Sequence, residues 1–182
     1  IDYKSILEKA NESIDRKKDN EITFINVGRH DEKQKRLSRI IEAVEMLKKD
    51  NIKCKVLLVG DGPEKEKYEN FVKEKQLEDY IVFLGAQKNP YPYFKISDCF
   101  LMSSEYEGYP VVFIESLILG LPIITTDISD SKEDIENKYG IVTNKSSENI
   151  YKAMKTFIQD GIKIEDEFDY KKYNEQILDK LE

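Results

Sequence analysis

The sequence predicts an α/β domain, one parallel sheet with helices on both faces. Two patterns predict it. Short apolar runs recur at 22–27, 55–59, 81–84, 99–102, 123–126 and 140–143, and near-continuous apolar strands suit a sheet covered on both sides. Between the runs lie stretches with helical spacing, and alternation of strand and helix means parallel strands joined by crossovers. The expected result is a three-layer α/β/α domain on a mostly parallel six-stranded sheet.

The first run is followed by Gly28, the second by Gly60 and the third by Gly85. Glycine permits a sharp turn and a close ligand, and ligands on such sheets bind outside the carboxyl ends of the strands. Leu37, Ile40, Ile41, Val44 and Leu47 fall on one helix face. Tyr68, Phe71 and Val72 mark a second helix, and Ile150, Met154, Phe157 and Ile158 a third. Pro63 and Pro110 stand where a helix can begin, because proline there forfeits no bonded N–H.

Residues 1–20 read as a helix and connector, 21–160 as the Rossmann-like α/β body, and 161–182 as an acidic linker and helix. Tyr170, Tyr173, Ile177 and Leu181 form a last stripe that needs a surface, in this domain or in another. A length of 182 residues supports one such domain with a sizeable core. The chain begins at Ile1 rather than Met, which suggests a piece of a longer protein.

With 40% hydrophobic and 36% charged residues the composition is globular. The net charge of −7 argues against nucleic acid as a partner. No apolar run approaches the ~20 residues of a membrane span, and no signal peptide is visible. Cys54 and Cys99 sit beside apolar runs without a CxxC pairing, and read as small buried residues in a reducing compartment. The expected location is the cytoplasm, free or on the inner face of the membrane.

The chemistry concentrates in two segments. In the first, a strand ends near Met102, a loop carries Glu107 and Gly108, and Pro110 opens a helix carrying Glu115. A helix N-terminus offers free N–H groups and partial positive charge, a seat for phosphate. Carboxylates beside it can accept hydrogen bonds from sugar hydroxyls. In the second, Gly28 and Arg29 lead to Gln34, Lys35, Arg36 and Leu37. A guanidinium and an ammonium on this loop can reach a diphosphate from the other side.

The spacing Glu107-Gly108-x-Pro110-x(4)-Glu115-x(4)-Gly120-x-Pro122 resembles the Glu-x(7)-Glu signature of the large retaining glycosyltransferase family, glycosyl transferases group 1, of GT-B fold. Gly28-Arg29 with Gln34-Lys35-Arg36-Leu37 resembles its Gly-Arg and Lys elements. Gly60-Asp61-Gly62-Pro63 is similar to its Gly-x-Gly-Pro turn, and Phe83-Leu84-Gly85 to the strand end near the base. Together these motifs cover nearly the whole chain in the family's order.

The resemblance implies a Rossmann-like domain that forms the C-terminal, donor-binding half of a GT-B enzyme. An N-terminal acceptor-binding domain would face it, and the acceptor would be a glycan or lipid-linked. Arg29 and Lys35 would hold the diphosphate of a nucleotide-sugar, most simply a UDP-sugar. Glu107 would contact the sugar and Glu115 the ribose. Gly108, Tyr109, Pro110 and Val111 would complete the phosphate seat, with Gly28, Gly60, Gly62 and Gly85 lining the approach. The family's spacing leaves Lys33 as a competitor to Lys35. No Asp-x-Asp motif stands at a strand end, and Asp127 and Asp130 are spaced wrongly for one, so neither metal nor cofactor is expected.

Other residues have plainer readings. His30 reads as an incidental loop residue and Glu105 as exposed. Tyr91, Tyr93 and Phe94 read as helix packing, with stacking on a base as the alternative. Ser104 and Thr126 are strand-end residues within reach of a ligand. Two other functions remain open: a nucleotide-sugar-binding module without transferase activity, and a sugar-nucleotide epimerase of similar fold.

Overall fold

The computed structural model describes residues 1–108, 110–128, 135–136, 138–162, 164, 168–173 and 175. Its elements run α1 (Tyr3–Ala10), β1 (Thr23–Val27), α2 (Leu37–Lys49), β2 (Lys55–Val59), α3 (Lys65–Glu74), β3 (Ile81–Gly85), α4 (Tyr91–Lys95), β4 (Cys99–Met102), α5 (Val111–Ile118), β5 (Ile123–Thr126), β6 (Gly140–Thr143) and α6 (Ser147–Asp160). All six apolar runs are strands. They form one sheet in the order β3-β2-β1-β4-β5-β6, and every pairing is parallel.

Strand alternation sorts the core into two layers. Phe24, Val56, Leu58, Leu101 and Ile124 face α2, α3 and α6, where Leu37, Ile41, Tyr68 and Met154 meet them. Ile25, Leu57, Val59, Phe100 and Ile123 face the other way, onto Phe94 of α4 and Phe113 and Leu117 of α5. Cys54 and Cys99 are free and buried. Burial pushes the Cys54 thiol up to about 12.

The N-terminal helix is part of this body. Ile6 of α1 packs with Ile114 and Ile118 of α5, and Tyr3, Tyr170 and Tyr173 join them. The C-terminal stripe therefore begins by packing on this domain. Ile177 and Leu181 lie outside the described residues. Pro63 precedes α3 by two residues, and Pro110 is the N-cap of α5.

The strand order reverses direction between β1 and β4. In a doubly wound sheet this switch point opens a crevice at the carboxyl edge, because the flanking crossovers leave to opposite faces. The ladder is short here, pairing only Phe24 with Cys99 and Ile25 with Phe100. Beyond it, buried Asn26 donates its side-chain N–H to Leu101 O at 2.8 Å. A side chain replaces a backbone rung where the strands part.

Candidate functional site

The loops leaving β1 and β4 flank the crevice. The β1–α2 loop is built locally around Asp31. Its Oδ1 accepts from Lys33 N at 2.8 Å and Gln34 N at 3.3 Å, while its carbonyl accepts from Lys35 N at 2.9 Å. Arg36 then adopts a left-handed conformation, φ 51°, and the chain enters α2. A non-glycine residue there costs about 1 kcal/mol. The turn fixes the direction of Lys35, whose Nζ lies 2.5 Å from Glu107 Oε1 on the loop after β4.

Glu107 is held from three sides. Ser104 Oγ donates to Oε1 at 2.6 Å, and Gln34 Nε2 to Oε2 at 3.3 Å. The loops are also tied through their backbones. Glu105 N donates to Gln34 O at 2.8 Å, and Ser103 Oγ to Lys35 O at 2.8 Å. Thr126 Oγ1 at the end of β5 donates to Ser104 O at 2.6 Å. The aliphatic stem of Lys35 runs beside Gly28, where an added methyl would sit 3.5 Å from Cε.

The other expected site residues fall into distinct places. Arg29 is exposed, on the same loop as Lys35, and forms no ion pair among the described residues. Lys33 is exposed, and its backbone N–H is taken by Asp31 Oδ1. Gly108 has open space above its Cα, followed by Pro110 and exposed Val111. Pro110 supplies no side-chain cap, and Phe113 N donates to Pro110 O at 2.9 Å; a helix start leaves its first N–H groups without intrahelical partners. Glu115 lies on that helix and accepts from Tyr91 OH at 2.8 Å. Tyr109 lies outside the described residues.

Gly60 and Gly62 have a packing reason to be glycine. At φ +144°, Gly60 would place a Cβ 1.8 Å from Gly28 O, and one on Gly62 would lie 2.5 Å from His30 O. This turn presses against the β1–α2 loop. Gly60 N also donates to Gly85 O at 2.8 Å, so all three strand ends meet.

Two expectations from sequence need correction. His30 is not incidental. It is fully buried, its ring set edge-on to Tyr68 and Phe83, and neither ring nitrogen has a hydrogen-bond partner among the described residues. Burial lowers its pKa below 6.5, outweighing Asp61 nearby. Glu105 is not a free surface charge. It accepts from Arg39 at 2.5 Å and faces Arg36 at 3.8 Å and Lys145 at 3.7 Å, joining three loops. Nothing local in the sequence marks these partners, which come from elements far apart in the chain.

A groove of about 630 Å³ lies elsewhere, between the β1–α2 loop and α3, lined by Glu32, Ser38, Tyr68, Phe71 and others. Its lining holds three carboxylates, Glu32, Glu66 and Glu74, against one lysine, Lys67, a balance that disfavours a phosphate. Among the described residues no three His, Cys, Asp or Glu gather as metal ligands, and no helix is long and apolar enough to cross a membrane.

The sequence pattern of one family, "Glycosyl transferases group 1", matches residues 8–176. The chain belongs to that family. Relatives agree. This member is 32% identical over 163 residues to the N-acetylgalactosamine-N,N'-diacetylbacillosaminyl-diphospho-undecaprenol 4-alpha-N-acetylgalactosaminyltransferase of Campylobacter jejuni, covering 88% of this chain and 43% of that one. It is 34% identical over 139 residues to an uncharacterized glycosyltransferase of Methanocaldococcus jannaschii, covering 68% and 34%. The chain thus spans less than half the length of these relatives.

Among solved structures, the lipopolysaccharide outer core galactosyltransferase WaaB superposes with TM-score 0.71 at 21% identity, over 91% of this chain and 51% of that one. Anabaena HepE bound to UDP gives TM-score 0.72 at 20% identity, over 89% and 49%. These identities speak for the fold, which is that of a GT-B glycosyltransferase domain.

Proposed function

We propose that this glycosyltransferase domain is the donor-binding half of a retaining enzyme that transfers sugar from a UDP-sugar to a glycan or lipid-linked acceptor. The observation that supports it most is the meeting of Lys35 and Glu107 across the switch point, beside the uncapped N-terminus of α5. On this reading the diphosphate lies between that helix end and the β1–α2 loop. Lys35 and exposed Arg29 approach it from the loop. Glu107 accepts from sugar hydroxyls, and Glu115 from those of the ribose.

The chemistry asked of the site is charge separation. The bond from the anomeric carbon to the phosphate oxygen breaks, and its electron pair leaves with the nucleoside diphosphate. The sugar becomes oxocarbenium-like. The acceptor oxygen then bonds to the anomeric carbon on the leaving-group side, and its proton passes to the departing diphosphate. Fixed cations and helix N–H groups aimed at the leaving oxygen lower this barrier, because they need no reorganisation as charge develops. This assigns the work to the protein's own cations, without a metal. Family membership sets aside the epimerase reading. Relatives named for lipopolysaccharide and undecaprenol-linked acceptors favour a cell-surface glycan product. The buried free thiols suit work in the cytoplasm or at its membrane face.

Calorimetric titration of the 182-residue chain with UDP tests the reading. Binding at or below millimolar concentration is expected, with little or no sugar transfer, since the acceptor half is assigned elsewhere. A folded chain that ignores millimolar UDP overturns it.

A further inference from the structure

Glu107 and Glu115 differ in what already holds them. Both oxygens of Glu107 are engaged, Oε1 by Lys35 and Ser104 and Oε2 by Gln34. Glu115 receives one side-chain bond among the described residues, from Tyr91 OH to Oε1 at 2.8 Å. Its other oxygen is unengaged there. Glu115 shares a helix face with exposed Val111, four residues nearer the N-terminus, so this carboxylate stands one turn below the helix end that opens on the crevice.

Tyr91 is itself fixed. Its backbone N–H donates to Asn89 Oδ1 at 3.2 Å. Asn89 Nδ2 in turn donates to Lys9 O at 2.9 Å and Glu12 Oε2 at 2.8 Å, at the end of α1. At the other end of α4, Lys95 Nζ donates to Asn11 Oδ1 at 2.6 Å. The Tyr91 ring packs tilted against buried Phe94, 6.2 Å between centroids. The hydroxyl is thus delivered by a short helix pinned at both ends.

We propose that Tyr91 is a positioning residue for the nucleotide: its hydroxyl fixes the Glu115 carboxylate so that the free oxygen meets the ribose hydroxyls. The inference rests on the donor-binding reading of Glu115. A free glutamate side chain must be ordered when it takes a ligand, and ordering it beforehand removes that cost from binding. A carboxylate has lone pairs to spare, so one bond to tyrosine leaves room for a ribose diol. Burial, and then Glu115 itself, push the Tyr91 hydroxyl up to about 12, so it remains a donor near neutral pH.

The test compares Tyr91→Phe with the parent chain by calorimetry, using UDP and 2′,3′-dideoxyuridine diphosphate, with a thermal melt of each protein. Tyr91→Phe should weaken UDP about tenfold, as for loss of one charge-assisted bond. It should leave the dideoxy compound unchanged, and the effect should vanish in a Glu115→Gln background. Equal weakening of both ligands overturns the inference, since α4 packing would then be the cause. Unchanged UDP affinity overturns it too. So does a variant that fails to fold, because a hydroxyl that only orients a half-exposed carboxylate is not needed for folding. A parent that binds neither ligand fails the donor-binding reading itself, and that failure appears before any variant is made.

Discussion

Lys35 Nζ and Glu107 Oε1 lie 2.5 Å apart, joining loops whose residues are 72 positions apart in the chain. Their side chains are 19% and 9% exposed. The lysine expected to meet a diphosphate is thus already paired with a carboxylate. On the donor-binding reading, an arriving diphosphate would share or displace that pair, whose charges balance each other without it.

Lys35→Ala should leave Glu107 with only Ser104 and Gln34, an under-compensated charge. Stability should fall by about 1–3 kcal/mol in urea denaturation. The double variant Lys35→Met with Glu107→Gln should recover most of that loss, and UDP binding should still be lost by calorimetry. Recovered UDP binding in the double variant would mean that the pair serves the fold alone.

Arg29 offers the opposite signature. It is exposed and unpaired among the described residues. Arg29→Ala should leave the melting temperature unchanged and weaken UDP by about 1.5–3 kcal/mol, the range for a charged hydrogen bond. Unaltered affinity would show that this loop does not touch the phosphate.

His30 should give the fold an acid sensitivity. Its pKa is held below 6.5 by burial. In the unfolded chain it takes a proton at about pH 6.5. As pH falls below that value the unfolded state binds more protons, so stability is lost between 6.5 and the lower folded pKa, with a limiting slope of about 1.4 kcal/mol per pH unit. The contribution is complete above pH 6.5. Urea denaturation at pH 7.5 and 5.5 should show a decline in the parent that is smaller in His30→Phe. Parallel declines would assign the acid sensitivity to carboxylates instead.

The glycines divide into two kinds. Gly60→Ala drives a Cβ into Gly28 O at a positive φ, and should destabilise by about 3 kcal/mol or more. Gly108→Ala meets nothing within 4 Å. It should fold normally and still weaken UDP, because a methyl there intrudes on the space above the helix end. Normal UDP affinity in Gly108→Ala would place the phosphate elsewhere.

Local patterns in the chain specify the strands, their parallel arrangement, the family and the loops of the candidate site. Those features are local: apolar periodicity, glycine after a strand and fixed motif spacing are written within a few residues of one another. Arg29, Lys35, Glu107 and Glu115 are candidates through the motif resemblance, and the fold brings Lys35 and Glu107 together. What the sequence could not state is who faces whom. His30 is buried because the Gly60–Gly62 turn, Tyr68 and Phe83 close over it. Glu105 is clamped by Arg39, Arg36 and Lys145 from two other segments. Tyr91 reaches Glu115 only because α4 and α5 lie on the same face of the sheet. Such contacts depend on strand order, and strand order is fixed by burying two apolar faces at once, a property of the whole chain.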